Sequence, residues 1–106
     1  MTENKLKSIK ILSLEIKRIE SVLNRLSETK NNALQKEYEN LLHSRQDELL
    51  RKKIDLEKYI ASIDDAEIRL ILTLRFIDLK GWNYISKKLH YDRTTVYKKF
   101  KAFISQ

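Results

Sequence analysis

One glycine and no proline in 106 residues leave this chain few ways to do anything except continue a helix. Strand signals are missing as well: no run alternates apolar and polar residues with period two, and no Asn-Gly or Asp-Gly pair offers a hairpin turn. With 35 % charged residues the chain has to be amphipathic helix almost throughout, an all-α protein with a modest core. Its length accommodates one domain, or one small domain with an appendage. There is no cysteine, which excludes disulfides and thiolate metal sites.

Helical periodicity divides the chain. Ile9, Leu12, Ile16, Ile19, Leu23 and Leu26 recur at alternating spacings of three and four, a heptad seam. Ile11, Leu14 and Val22 widen the stripe beyond what a two-stranded coil uses, which suits a hairpin or bundle. Ser27 to Asn32 are residues that favour caps and turns, and a loop is expected there. From Ala33 to Ile63 a second helix is expected, with Leu34, Tyr38, Leu41, Leu42, Leu49, Leu50, Ile54, Leu56, Ile60 and Ile63 as its apolar positions. His43 to Glu48 contain no apolar residue and allow a kink, an inter-helix loop or an exposed turn of one continuous helix; the lack of Gly and Pro favours continuity. Lys5 to Leu26 then pairs antiparallel with part of Ala33 to Ile63, and the second helix outruns the first by about ten residues, leaving apolar surface for a partner.

The C-terminal forty residues read as three shorter helices. Asp64 is suited to cap the first, with Glu67 closing a capping box, and Ile68, Ile71, Leu72, Leu74, Phe76 and Ile77 make Asp65 to Asp78 apolar enough to be a core. Gly81, the single glycine, is expected to turn the chain through a positive φ. Ile85 and Leu89 lie four apart on a second helix. Asp92 is placed to cap a third, in which Val96, Phe100 and Phe103 repeat at helical spacing. Two such helices with a tight corner form a helix-turn-helix, the unit that sets a recognition helix in the major groove. The division expected is a helical hairpin over 1–63, for oligomerisation or partner binding, and a DNA-binding unit over 64–106.

Charge supports double-stranded DNA as the partner. From Lys80 to Gln106 there are seven Lys or Arg against one acid, Asp92, so this segment holds +6 of the net +7. A charge run alone describes a solvated face; a charge excess in the segment that has groove-reading geometry describes a phosphate-binding one. Arg93, Thr94, Thr95, Tyr97, Lys98 and Lys101 are expected on the face of the last helix opposite Val96 and Phe100. Arg93 suits guanine, the threonines suit phosphate or a thymine methyl, and the lysines suit phosphate. Lys87 and Lys88 suit backbone contacts. Trp82, at the start of a helix, is expected to pack rather than stack on bases.

Ile71-Leu72-Thr73-Leu74-Arg75-Phe76-Ile77, then Trp82-Asn83-Tyr84-Ile85, then Leu89 and Thr95-Val96 resemble region 4 of bacterial sigma factors, where a Leu-Arg-Tyr helix precedes a helix-turn-helix. The pattern is more similar still to phage regulators with a sigma-region-4-like C-terminus, the late-transcription activators of the RinA and ArpU kind. That group shares the Asp65 to Arg69 spacing and the Trp that opens a motif helix. The resemblance covers about forty residues and implies phage or mobile-element gene control, with RNA polymerase as a possible partner. His90 stands where a corner glycine is usual, Ser86 where a small alanine is usual and Asp92 where a Ser cap is usual. Nothing resembles sigma region 2.

Other chemistry is poorly represented. His43 and His90 are far apart with no companion ligand, no Ser-His-Asp grouping or glycine-rich phosphate loop occurs, and Asp64-Asp65 and Asp47-Glu48 suit capping and solvation. No enzyme activity and no cofactor are expected. No stretch approaches the ~18 apolar residues of a membrane span and no signal-peptide core follows Met1, so a cytoplasmic protein without a membrane partner is expected. The regulator reading expects a homodimer through the N-terminal helices. Two rivals follow from the same residues: a phage DNA-packaging factor of small-terminase type, expected as an eight- or nine-fold ring, and a sigma-like module that binds polymerase without reading DNA.

Overall fold

A computed structural model describes residues 2–106, and every regular element among them is helical. Helix α1, Glu3–Thr29, starts where the Thr2 hydroxyl accepts the Lys5 N–H at 3.3 Å. Helix α2, Asn32–Ala61, starts where the Asn31 side chain accepts the Leu34 N–H at 3.2 Å. Between them only Lys30 and Asn31 turn the chain, Lys30 in the left-handed region at φ 57°. The expected loop over 27–32 is shorter because Ser27 and Thr29 remain helical. Their hydroxyls fold back onto the Asn24 and Leu26 carbonyls at 2.7 and 2.9 Å, and Leu26 is one of the last four carbonyls that the helix end leaves open.

The two helices run antiparallel, and α2 is unbroken through His43–Glu48. Within that polar stretch Arg45 occupies the seam, and its Nε donates to Glu15 on α1 at 3.0 Å. The expected overhang of about ten residues does not occur. α1 spans 27 residues and α2 spans 30, because α1 begins earlier and ends later than its apolar seam.

Helix α3, Ala66–Leu72, is capped by Asp65 and not by Asp64: one Asp65 oxygen accepts from the Glu67 and Ile68 N–H groups at 2.9 and 3.2 Å. Glu67 therefore falls one position too early for a capping box and pairs instead with Lys99 at 3.5 Å. Arg69 donates to the Ile63 and Asp64 carbonyls at 2.6 and 3.0 Å. The Asp-x-x-x-Arg spacing thus serves both ends of one turn, the aspartate taking donors and the arginine taking acceptors.

The helix expected over Asp65 to Asp78 is interrupted. Thr73–Ile77 form a π turn in which the Asp78 N–H reaches back to the Thr73 carbonyl at 2.9 Å. Leu79, at φ 58°, makes the left-handed step that was expected of Gly81. Gly81 is extended at φ −76°, ψ 163° and stands at the N-cap of α4, Trp82–Leu89, where an added Cβ would meet nothing within 4 Å. Helix α5, Arg93–Ile104, follows after His90, Tyr91 and Asp92.

His90 takes the conformation that a corner glycine takes easily, φ 59° and ψ 38°. A left-handed residue with a Cβ costs about 1 kcal/mol, part of which glycine returns to the greater entropy of the unfolded chain. His90→Gly is therefore expected to raise stability by a few tenths to about 1 kcal/mol, read as a higher denaturation midpoint at unchanged slope.

One core crosses position 63. Leu6 and Ile9 of α1 and Leu56 and Ile60 of α2 join Ile68, Ile71, Leu72, Phe76, Ile85, Val96 and Phe100 in a single buried cluster. Buried Ser13 and Ser86 bond carbonyls of their own helices, Ile9 and Asn83, each at 2.9 Å. Beyond this cluster the hairpin continues as two helices alone, in a molecule measuring 51 × 25 × 18 Å. There Val22, Leu23, Leu26, Tyr38 and Leu42 are only partly covered.

Candidate nucleic-acid interface

α4 and α5 are held together by apolar contacts on their inner sides. Ile85 and Val96 are fully buried, and Phe100 lies 5.6 Å from Phe76 and 5.4 Å from Trp82 between ring centroids. Trp82 packs as expected, and it also meets Tyr97 edge-on at 5.3 Å. This cluster fixes which sides of the two helices remain in contact with water.

At about 100° per residue, Thr94, Thr95 and Lys98 project from α5 away from Val96 and Phe100, and all three are exposed. Arg93 and Tyr97 do not sit opposite the core. They lie on the flank that faces Trp82, because positions three before Val96 and three before Phe100 return close to the buried direction. Both remain exposed, and with Trp82 and Thr94 they line a surface recess of about 340 Å³.

Lys101 departs further from expectation. Its ammonium bonds Glu3 at 2.9 Å, tying α5 to the first turn of α1, so it is occupied in structure and not displayed. Lys99 is likewise held, 3.6 Å from Asp65 and 3.5 Å from Glu67. By contrast, among the described residues Arg75, Lys80, Lys87, Lys88, Arg93 and Lys98 form no ion pair. Lys80 and Lys88 both lie over the Tyr84 ring, 5.1 and 5.5 Å from its centroid.

Arg75 was not expected in the site. The π turn carries its guanidinium over the Trp82 ring at 4.8 Å, where it donates to the Lys80 carbonyl at 3.1 Å. Burial, with the nearby charge of Arg93 as a second cause, lowers its pKa below the ordinary arginine value. The one signal in the sequence was a lone basic residue inside the apolar run Ile71 to Ile77, seven positions before the tryptophan it meets.

Asp92 occupies the N-cap of α5, but its side chain makes no capping bond. The expected capping contact is therefore absent, and the first N–H groups of α5 have no side-chain acceptor from that residue. Among the described residues no group of three His, Cys, Asp or Glu could hold a metal ion, and no helix is long and apolar enough to cross a membrane.

The pairs that tether α5 carry a pH dependence. The hydrogen bond from Lys101 holds Glu3 below its ordinary 4.5, and backbone N–H groups, Ile68 first, hold Asp65 below 3.8. Desolvation acts against Lys99, yet Asp65 and Glu67 raise it above 10.5; the hydrogen bond that Lys101 donates to Glu3 raises Lys101 likewise. Depressed carboxylates stabilise above their ordinary values and lose that contribution as pH falls through the folded ones, whereas raised lysines stabilise below 10.5 and lose it as pH rises. The melting temperature is expected to be level from about pH 6 to about pH 9 and to fall on both sides. Asp65→Asn should flatten the acid limb.

Residues 34–106 match the model of a protein family of unknown function, DUF1492, and the chain belongs to that family. The match takes in nearly all of α2 and the whole C-terminal unit. No curated protein matches the chain, and neither does any solved structure.

Proposed function

We propose that this chain is a sequence-specific DNA-binding regulator of transcription, with α4 and α5 as its helix-turn-helix and α5 as the recognition helix. The observation that carries the reading is the division of labour among the basic residues. Lys99 and Lys101 are paired with acids, while Lys87, Arg93 and Lys98 stay exposed and unpaired on the two helices that meet at the corner. Lysines and arginines left without acids on adjoining helices form the footprint that phosphates fill. Thr94 and Thr95, in the first turn of α5 beside Arg93, supply short polar side chains where base edges are read.

The resemblance to sigma region 4 and to phage late-transcription activators supports the same reading and a phage or mobile-element setting. Arg75, Trp82 and the open N-terminus of α5 add a place for backbone phosphate next to the reading residues. Action would then be positional: lysines hold the duplex, α5 selects the site, and the hairpin joins a further protein, either a second copy or RNA polymerase.

Selection from random duplexes tests this directly. The unmodified chain should yield a consensus, and Arg93→Ala should relax one or two of its positions at a cost of roughly 1 to 3 kcal/mol on the best site. Tyr97→Ala, whose ring is packed on Trp82, should leave base preference intact. Failure to enrich any sequence would remove the recognition reading, and enrichment unaffected by Arg93→Ala would transfer it to the threonines.

A further inference from the structure

The hairpin has two edges, and only one is covered. Leu6 and Ser13 lie one heptad apart on one edge of α1 and are 0 % and 7 % exposed, enclosed where the C-terminal unit packs. On the other edge, at about 100° per residue, come Ile11, Arg18, Val22 and Arg25, and Ile11 is 64 % exposed. The Glu15–Arg45 bridge identifies the edge of α2 on that same side, which carries Leu34, Glu37, Leu41 and Asp55. Leu34 and Leu41 are 38 % and 36 % exposed and, with Tyr38 and Glu37, line a shallow depression of about 250 Å³.

We propose that this open face is the contact between two copies of the chain, packed as a four-helix bundle with the two-fold axis along the hairpin, so that each α1 lies on the α2 of the other copy. Charge selects the arrangement. The outer rim of α1 on this face is basic at Arg18 and Arg25, and toward the hairpin tip that of α2 is acidic at Glu37, while Arg51 and Lys58 on the same rim lie nearer the C-terminal unit. An axis along the hairpin keeps residues at their own level. Since Glu15 stands opposite Arg45, Arg25 is level with position 35, within about 3 Å along the axis of Glu37 of the partner subunit. An axis across the hairpin would set arginine rim against arginine rim and glutamate against glutamate, which costs association energy.

Size agrees. At 1.5 Å per residue and two helix widths, the face is about 40 Å by about 20 Å, near the roughly 800 Å² per partner of a standard interface. Val22, Leu34 and Leu41, which two helices alone leave half-covered, become its centre. The arrangement also brings both C-terminal units to one end of the bundle. There they present two copies of α5 to neighbouring half-sites, a consequence that rests on the DNA reading, whereas the dimer itself does not.

Sedimentation of the full chain without DNA, at 1 to about 100 µM, tests the contact separately from any DNA activity. A mass of twice 12.7 kDa is expected. Arg25→Glu and Glu37→Arg should each weaken the dimer roughly tenfold, since the pair occurs twice, and the double exchange should restore it. Leu41→Glu, at a position that is open in the single chain, should give a folded monomer with unchanged helix content by circular dichroism. Nitroxides on Glu28→Cys should lie on the order of 25 Å apart, against 40 Å or more if the tips point in opposite directions. A monomer throughout, a dimer indifferent to Leu41→Glu, charge exchange without rescue, or the longer distance would each overturn the proposal.

Discussion

Phe100→Ala should remove about 3 to 5 kcal/mol of stability, the cost of deleting a fully enclosed aromatic ring and leaving a cavity. Phe100 is 2 % exposed and touches three other aromatic rings, Phe76, Trp82 and Tyr97. Those rings come from the π turn, α4 and α5, so nothing nearby is free to close over the gap. A small domain holds about 5 to 15 kcal/mol in all. Urea denaturation should therefore show a midpoint lowered by about a fifth or more, and on the DNA reading affinity should fall with the folded fraction. A loss under 1 kcal/mol would mean that the aromatic cluster is dispensable for holding α4 on α5.

The second large effect concerns affinity. Each phosphate neutralised contributes about 0.9 to the slope of log K against log salt, which at 50 mM salt amounts to a little over one decade of binding per contact. On the DNA reading, replacing Lys87, Lys88 and Lys98 together with alanine should weaken binding to any duplex on the order of a thousandfold at that salt, and flatten the slope by nearly three. The three side chains are exposed and unpaired, so helix content should be unchanged. Lys101→Ala is the contrasting variant. Because its ammonium holds Glu3, its loss should lower stability and leave the slope almost as it was. Equal slopes for the triple variant and the unmodified chain would place the duplex elsewhere on the molecule.

Much of the fold was legible because amphipathic periodicity is a strong and local signal. The heptad from Ile9 to Leu26 located α1, and the lack of Gly and Pro was the right guide to an unbroken α2. What local reading missed depends on which of several equivalent groups wins a contact. Asp64 and Asp65 are equally good caps on paper, and the linker geometry set by Arg69 decides for Asp65. Gly81 was the natural residue for a positive φ, yet the π turn adds a residue to the preceding helix and moves that step to Leu79. Lys101 and Lys98 are indistinguishable by charge. Only the approach of α1 shows that one of them has an acid within 3 Å and the other has none. Arg75 could not be assigned from periodicity, since the widened turn that aims it has no simple sequence signature.

The shared core also governs the order in which the molecule can assemble. Leu6 and Ile9 leave the ribosome some ninety residues before Val96 and Phe100, with which they pack in one cluster. Glu3 and Lys101, which close the same junction, are 98 positions apart. Synthesis runs from the N-terminus, and contacts distant in sequence carry the entropy of closing the loop between them. The hairpin is thus free to zip from its two-residue corner while α5 is still being made, but its root stays unsealed until α5 emerges. A nascent chain halted before residue 96 would hold a formed arm above an open apolar seat, a ready site for a chaperone or for the arm of a neighbouring chain.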